Sequence, residues 1–91
     1  MNINQHPQII PDFSVEEFDG EILLYDKRST RAVYLNDSAY AVWLLCKEKM
    51  SVNQIITCLT ERYPEQRETI PEDVFSALDM LQESGAIKGV S

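Results

Sequence analysis

Few side chains of this protein belong to the types that do covalent chemistry, and their spacing argues against catalysis. His6 is the only histidine. It precedes Pro7 in a polar N-terminal stretch, where nothing in the sequence would hold it as a general base. Cys46 and Cys58 fall on the apolar sides of two expected helices and lack Cys-x-x-Cys spacing. They read as buried free thiols of a reducing compartment rather than ligands for zinc or an iron–sulfur cluster. The adjacent acids Glu16–Glu17 and Glu72–Asp73 make poor acid–base pairs. Neighbours on a strand face opposite ways, and acids at a helix start favour the helix dipole. Ser38 sits in no nucleophile elbow, and the 3 glycines form no phosphate-cradling loop. No metal, cofactor or enzymatic activity is expected.

Recognition is the remaining chemistry. Three of the 8 basic residues stand close together, at Lys27, Arg28 and Arg31. They form either a solvated turn or a small positive site for an acidic partner. The net charge of −7 opposes binding to nucleic acid or to an anionic membrane. No apolar run reaches membrane-spanning length, and the N-terminus lacks the charged and apolar regions of a signal peptide. A cytoplasmic protein is expected.

The elements that position these groups follow from periodicity. Ninety-one residues make one domain. Residues 1–11, polar with two prolines, read as a flexible arm ahead of a domain at 12–91. Phe13 to Phe18 alternates as a first strand, and Asp19–Gly20 is a two-residue hairpin signal. Glu21 to Tyr25 is the second strand, and Arg31 to Leu35 the third. Asn36, Asp37 and Ser38 then offer N-caps to a helix carrying Ala39, Val42, Trp43 and Cys46 on one stripe. Ser51–Val52–Asn53–Gln54 forms a capping box for a second helix, which Pro64 ends. Pro71, Glu72 and Asp73 open a third, with Val74, Leu78 and Leu81 inward and Gly85 as its C-terminal cap. The class is α+β: an N-terminal three-stranded antiparallel sheet followed by three helices, with the proportions of a winged helix-turn-helix.

Such a fold invites a DNA-reading assignment. The third helix, however, shows Glu72, Asp73, Asp79 and Glu83 with no Lys or Arg, the wrong charge for a polyanion. The third strand offers a better surface. The chain leaves the sheet there, so Ala32, Val33 and Tyr34 form an edge that an extended peptide can join. The outward stripe of Asp73, Ala77, Met80 and Ser84 can form the opposite wall, with Met80 a soft contact. Lys27, Arg28 and Arg31 would then select an acidic peptide. A winged-helix DNA-binding regulator and a generic protein–protein adaptor are the rival readings.

The run Leu35–Asn36–x–Ser38–Ala39 followed by Trp43–x–Leu45 resembles a motif of the PqqD-like proteins. So do Ser51–Val52–x–x–Ile55–x–x–x–Leu59 with Tyr63, and Asp73–Val74–x–x–Ala77–Leu78–x–x–Leu81 with Gly85–Ala86–Ile87. The match spans about residues 12–88. The resemblance implies a RiPP recognition element: a non-enzymatic peptide chaperone with a winged-helix fold. It implies binding of the leader region of a ribosomally made precursor peptide along the third strand and third helix. It also implies presentation to a modifying enzyme. That enzyme is a radical S-adenosylmethionine protein in pyrroloquinoline quinone biosynthesis, or a leader peptidase and cyclase in lasso-peptide pathways. Three positions depart from the family pattern. Lys47–Glu48–Lys49–Met50 replaces an Asp–Gly, Asp26–Lys27–Arg28–Ser29–Thr30 replaces a Pro–Glu–Gly turn, and Ala77 replaces a larger apolar residue.

Overall fold

The computed structural model describes residues 2–90. Met1 and Ser91, the ends of the expected arm and domain, lie outside the described residues. A first short strand, β1 (Gln8–Ile9), is followed by β2 (Phe13–Phe18), β3 (Glu21–Asp26) and β4 (Ala32–Leu35). Three helices come next, α1 (Asp37–Lys47), α2 (Val52–Arg62) and α3 (Ile70–Glu83), and then β5 (Ile87–Lys88).

Strands β2, β3 and β4 form one antiparallel sheet in that order. Asp19 (φ 54°) and Gly20 (φ 78°) both take left-handed backbone, which gives the primed turn that matches strand twist. The register sets Val15 opposite Leu24, and Leu24 opposite Val33. That row, with Phe13 and Leu35, forms the inner face; Phe13, Leu24 and Leu35 are buried. Glu16, Leu23 and Tyr34 make the row beside it on the outer face. Tyr34 is 68% exposed there.

The helices begin where their caps dictate. The Asn36 side-chain oxygen accepts from the Ala39 N–H at 2.8 Å. The Ser51–Gln54 capping box is complete: the Gln54 N–H donates to Ser51 Oγ at 3.1 Å, and the Ser51 N–H to Gln54 Oε1 at 2.8 Å. Helix α3 ends at left-handed Gly85 (φ 84°), where the Ala86 N–H reaches back to the Leu81 carbonyl at 2.9 Å. Val42, Trp43, Cys46, Val52, Ile55, Val74, Leu78 and Leu81 fill the centre. Helix α3 packs on α1, α2 and β5, whereas β4 packs on β3 and the start of α1.

The N-terminal stretch differs from the flexible arm expected. β1 pairs antiparallel with β5, setting Gln8 opposite Lys88 and Ile9 opposite Ile87. The Ile10 N–H donates to the Ala86 carbonyl at 2.9 Å, and Pro7 is fully buried. Upstream, the carbonyls of Gln5 and Ile3 accept from the Val52 and Asn53 N–H groups at 2.9 and 2.7 Å. Segment and capping box together satisfy the first turn of α2, whose donors would otherwise lack partners.

Candidate functional site

β4 borders the sheet, and the phase of its open side is set by one bond. The Asp26 N–H donates to the Arg31 carbonyl at 3.1 Å. Backbone groups alternate sides along an antiparallel strand. Arg31, Val33 and Leu35 therefore face β3, while Ala32 and Tyr34 turn their N–H and C=O groups outward. Beyond the far end of β4 lies a shallow pocket of about 220 Å³. Asn36, Ser38 and Ala39 supply one side of it, and Asp73, Ser76, Ala77 and Met80 of α3 the other.

The structure thus gathers Asp73, Ala77 and Met80 at one pocket, with a change of role for Ala77. The expected outward stripe would expose it, yet it is 6% exposed and belongs to the core. Its small side chain is the pocket floor, because a helix turn carrying Val74 and Leu78 inward brings Ala77 in with them. Met80 is half-buried and packs on the same core, while Asp73 is exposed. Val33 and Tyr34 do not line this pocket; they lie on opposite faces of β4. Asn36, Ser38, Ala39 and Ser76 were missed as lining residues. The Asn36 cap signal marked the corner but not the hollow beside it.

The basic cluster is divided. Arg28 lies 3.2 Å from Asp26 and 3.4 Å from Asp12, with its guanidinium 5.6 Å from the centre of the Phe13 ring. It is held toward β2, away from the open edge. The Arg28 backbone N–H and then its guanidinium keep the Asp26 carboxyl below its ordinary range, with a smaller contribution from Arg31. The side chains of Lys27 and Arg31 are exposed and form no ion pair among the described residues. These cations sit at the start of β4, and the pocket lies past its end. A four-residue strand separates them by roughly 13 Å.

The described residues contain no group of three or more His, Cys, Asp or Glu side chains placed to hold a metal. No helix among them is long and apolar enough to cross a membrane. Burial pushes the Cys46 thiol up to about 12, so it is no nucleophile.

The family model described as "Coenzyme PQQ synthesis protein D (PqqD)" matches residues 21–87, from β3 through the start of β5. The chain belongs to the PqqD family. Solved structures share its fold. One, "TbiB1 in Complex with the TbiA(beta) Leader Peptide", superposes with a TM-score of 0.76 at 19% identity, covering 92% of this chain and 98% of that one. Another, "Lasso peptide synthetase B1 complexed with the leader peptide", gives a TM-score of 0.75 at 25% identity, covering 91% and 98%. No curated protein matches the chain in sequence. Within the PqqD fold, the open edge of β4 and the α3 pocket are among the surfaces that the inward packing leaves available, and they adjoin one another.

Proposed function

We propose that this PqqD-family domain binds the leader region of a ribosomally made precursor peptide and presents it to a modifying enzyme, without catalysing a step itself. The supporting observation is the edge strand. Ala32 and Tyr34 hold outward N–H and C=O groups in strand geometry beside a pocket on α3. A peptide laid along β4 gains main-chain hydrogen bonds there, which are indifferent to its sequence. A side chain entering the Asn36–Ala77–Met80 pocket supplies selectivity. The two similar structures are complexes with leader peptides, which favours the same class of ligand here. The modifying enzyme is a radical S-adenosylmethionine protein or a leader peptidase and cyclase. The cytoplasm, where precursor peptides are made, is the proposed compartment.

The acidic exposed face of α3, with Glu72, Asp73, Asp79 and Glu83, disfavours a DNA-binding regulator. The decisive experiment is an NMR titration of the domain with a precursor peptide encoded beside its gene. Shift changes are expected at Ala32–Tyr34, Ala77 and Met80. Changes confined to α2 and the turn after it would overturn the edge-strand mode.

A further inference from the structure

Three hollows run into one another from the end of β4 along the length of α1. The first is the Ala77 pocket. It shares Ser38 and Asp73 with a second, of about 260 Å³. The second shares Ala41, Leu59 and Tyr63 with a third, of about 340 Å³, lying between α1 and α2. Leu44 and Tyr63, 39% and 43% exposed, both line the third and give it an apolar patch open to solvent.

We infer that this track continues the peptide site: the bound peptide leaves β4 at Asn36, crosses at Ser38 and Asp73, and lays apolar side chains against Leu44, Leu59 and Tyr63. The inference rests on the proposed edge-strand reading. Continuity is its first support, because the middle hollow shares lining residues with the α3 pocket on one side and with the α1–α2 groove on the other. Backbone chemistry is the second. The first-turn donors of α2 all have acceptors, yet the N–H groups of Asp37 and Ser38 in α1 have none among the described residues. Those two donors stand at the crossing, where the carbonyls of an extended chain would pass. Charge is the third. The Asp37 and Asp73 carboxylates both line the second hollow and form no ion pair among the described residues.

The segment that fits is a basic residue at the crossing followed by two apolar residues. From Asn36 to Lys47 the track is roughly 17 Å long at helical rise, or about five extended residues. With the four-residue β4 portion, the site takes a peptide of about nine residues.

The test uses synthetic peptides about twelve residues long, chosen to cover both portions. They are selected on the whole chain from a random display library and followed by fluorescence anisotropy. Each is compared with the half carrying its alternating strand-like residues. The half is expected to bind roughly tenfold more weakly than the whole. Tyr63→Ala with Leu44→Asp should bring the whole peptide down to the half's affinity and leave the half unchanged. These side chains are partly exposed, and a thermal melt checks that the fold persists. Whole and half binding within about twofold of each other would overturn the inference while leaving the edge-strand reading intact. Binding of both that ignores Tyr34→Pro would overturn the edge-strand reading itself, and the continuation with it.

Discussion

Residues 3–10 and residues 32–36 are both irregular or extended backbone beside the start of a helix, and the protein treats them oppositely. In the first, Gln5 and Ile3 give carbonyls to the N-terminus of α2, and β1 pairs with β5. In the second, the outward N–H and C=O groups of β4 and the first two N–H groups of α1 have no hydrogen-bond partners among the described residues. Both helices have a good side-chain cap, Ser51 and Asn36. The difference therefore lies not in capping but in whether another segment of chain is laid alongside. One helix start is completed from within, and the other, with the β4 edge beside it, is left open. Unpaired backbone costs little while water reaches it, so the open side is stable alone and gains when an added strand excludes that water.

Removing residues 2–10 breaks the closed side and should give the largest effect. It deletes the bonds to Val52, Asn53 and Ala86, the β1–β5 pairing and the buried Pro7. Hydrogen bonds at about 1 kcal/mol each, with the lost apolar burial, predict destabilisation by more than about 3 kcal/mol in a urea melt. Peptide affinity of the molecules still folded should stay as it was. Tyr34→Pro acts on the open side. It removes an outward donor while the Val33 and Leu35 bonds to β3 remain. Affinity for the leader peptide should fall by at least roughly tenfold, with stability shifted by about 1 kcal/mol or less. Val33→Pro instead breaks the β3–β4 ladder, and a melt should show it destabilised by about 3 kcal/mol. Equal effects of the two prolines on stability would mean that the alternation along β4 is wrong.

The open side was more legible in the sequence than the closed side. Alternation placed Phe13–Phe18 and the strands after it, Asp19–Gly20 fixed the first hairpin, and the Ser51–Gln54 box marked α2. These are local signals with local causes. Residues 3–10 hold their place through main-chain carbonyls and a two-residue strand, neither of which leaves a side-chain pattern. Their partners, Val52–Asn53 and Ala86–Lys88, are far away in sequence. Arg28 illustrates the same limit. Lys27, Arg28 and Arg31 looked like one cluster because they are neighbours in sequence. The β2–β3 register, with Phe13 opposite Asp26, brings Asp12 beside Arg28 and removes it from the group. Ala77 followed the arithmetic of α3 into the core, where its small volume leaves the hollow that the stripe of Asp73, Ala77 and Met80 suggested.

Cys46 reports on the closed side, since it lines a hollow with Pro7 and Ile9. Desolvation raises its thiol from 9.0 to about 12 in the folded protein. Above pH 9 the unfolded chain loses a proton that the folded chain keeps, so this group removes stability as the pH rises toward 12. The loss is at most about 1.4 kcal/mol for each pH unit. Cys46→Ala should flatten alkaline melts by that amount. In the intact protein a thiol reagent should modify half-buried Cys58 first. In the chain lacking residues 2–10, Cys46 should become the faster-reacting of the two. An unchanged order would mean that the segment does not shield it.

Lys49 offers the smallest and cleanest test, because it lies where the closed side bears a local cost. Its φ of 63° is left-handed, a conformation that suits glycine and strains a side chain carrying a Cβ. His6 Nδ1 lies 2.9 Å from the Lys49 carbonyl, tying the turn to the N-terminal segment. The bond needs Nδ1 to carry the proton, since the carbonyl only accepts. Lys49→Gly relieves the backbone and keeps the carbonyl, and should stabilise the domain by about 0.5–1 kcal/mol. Peptide affinity should not move, because neither β4 nor the α3 pocket includes this turn. A gain in stability accompanied by weaker peptide binding would show that the two sides are coupled through α1, and the division between them would fail.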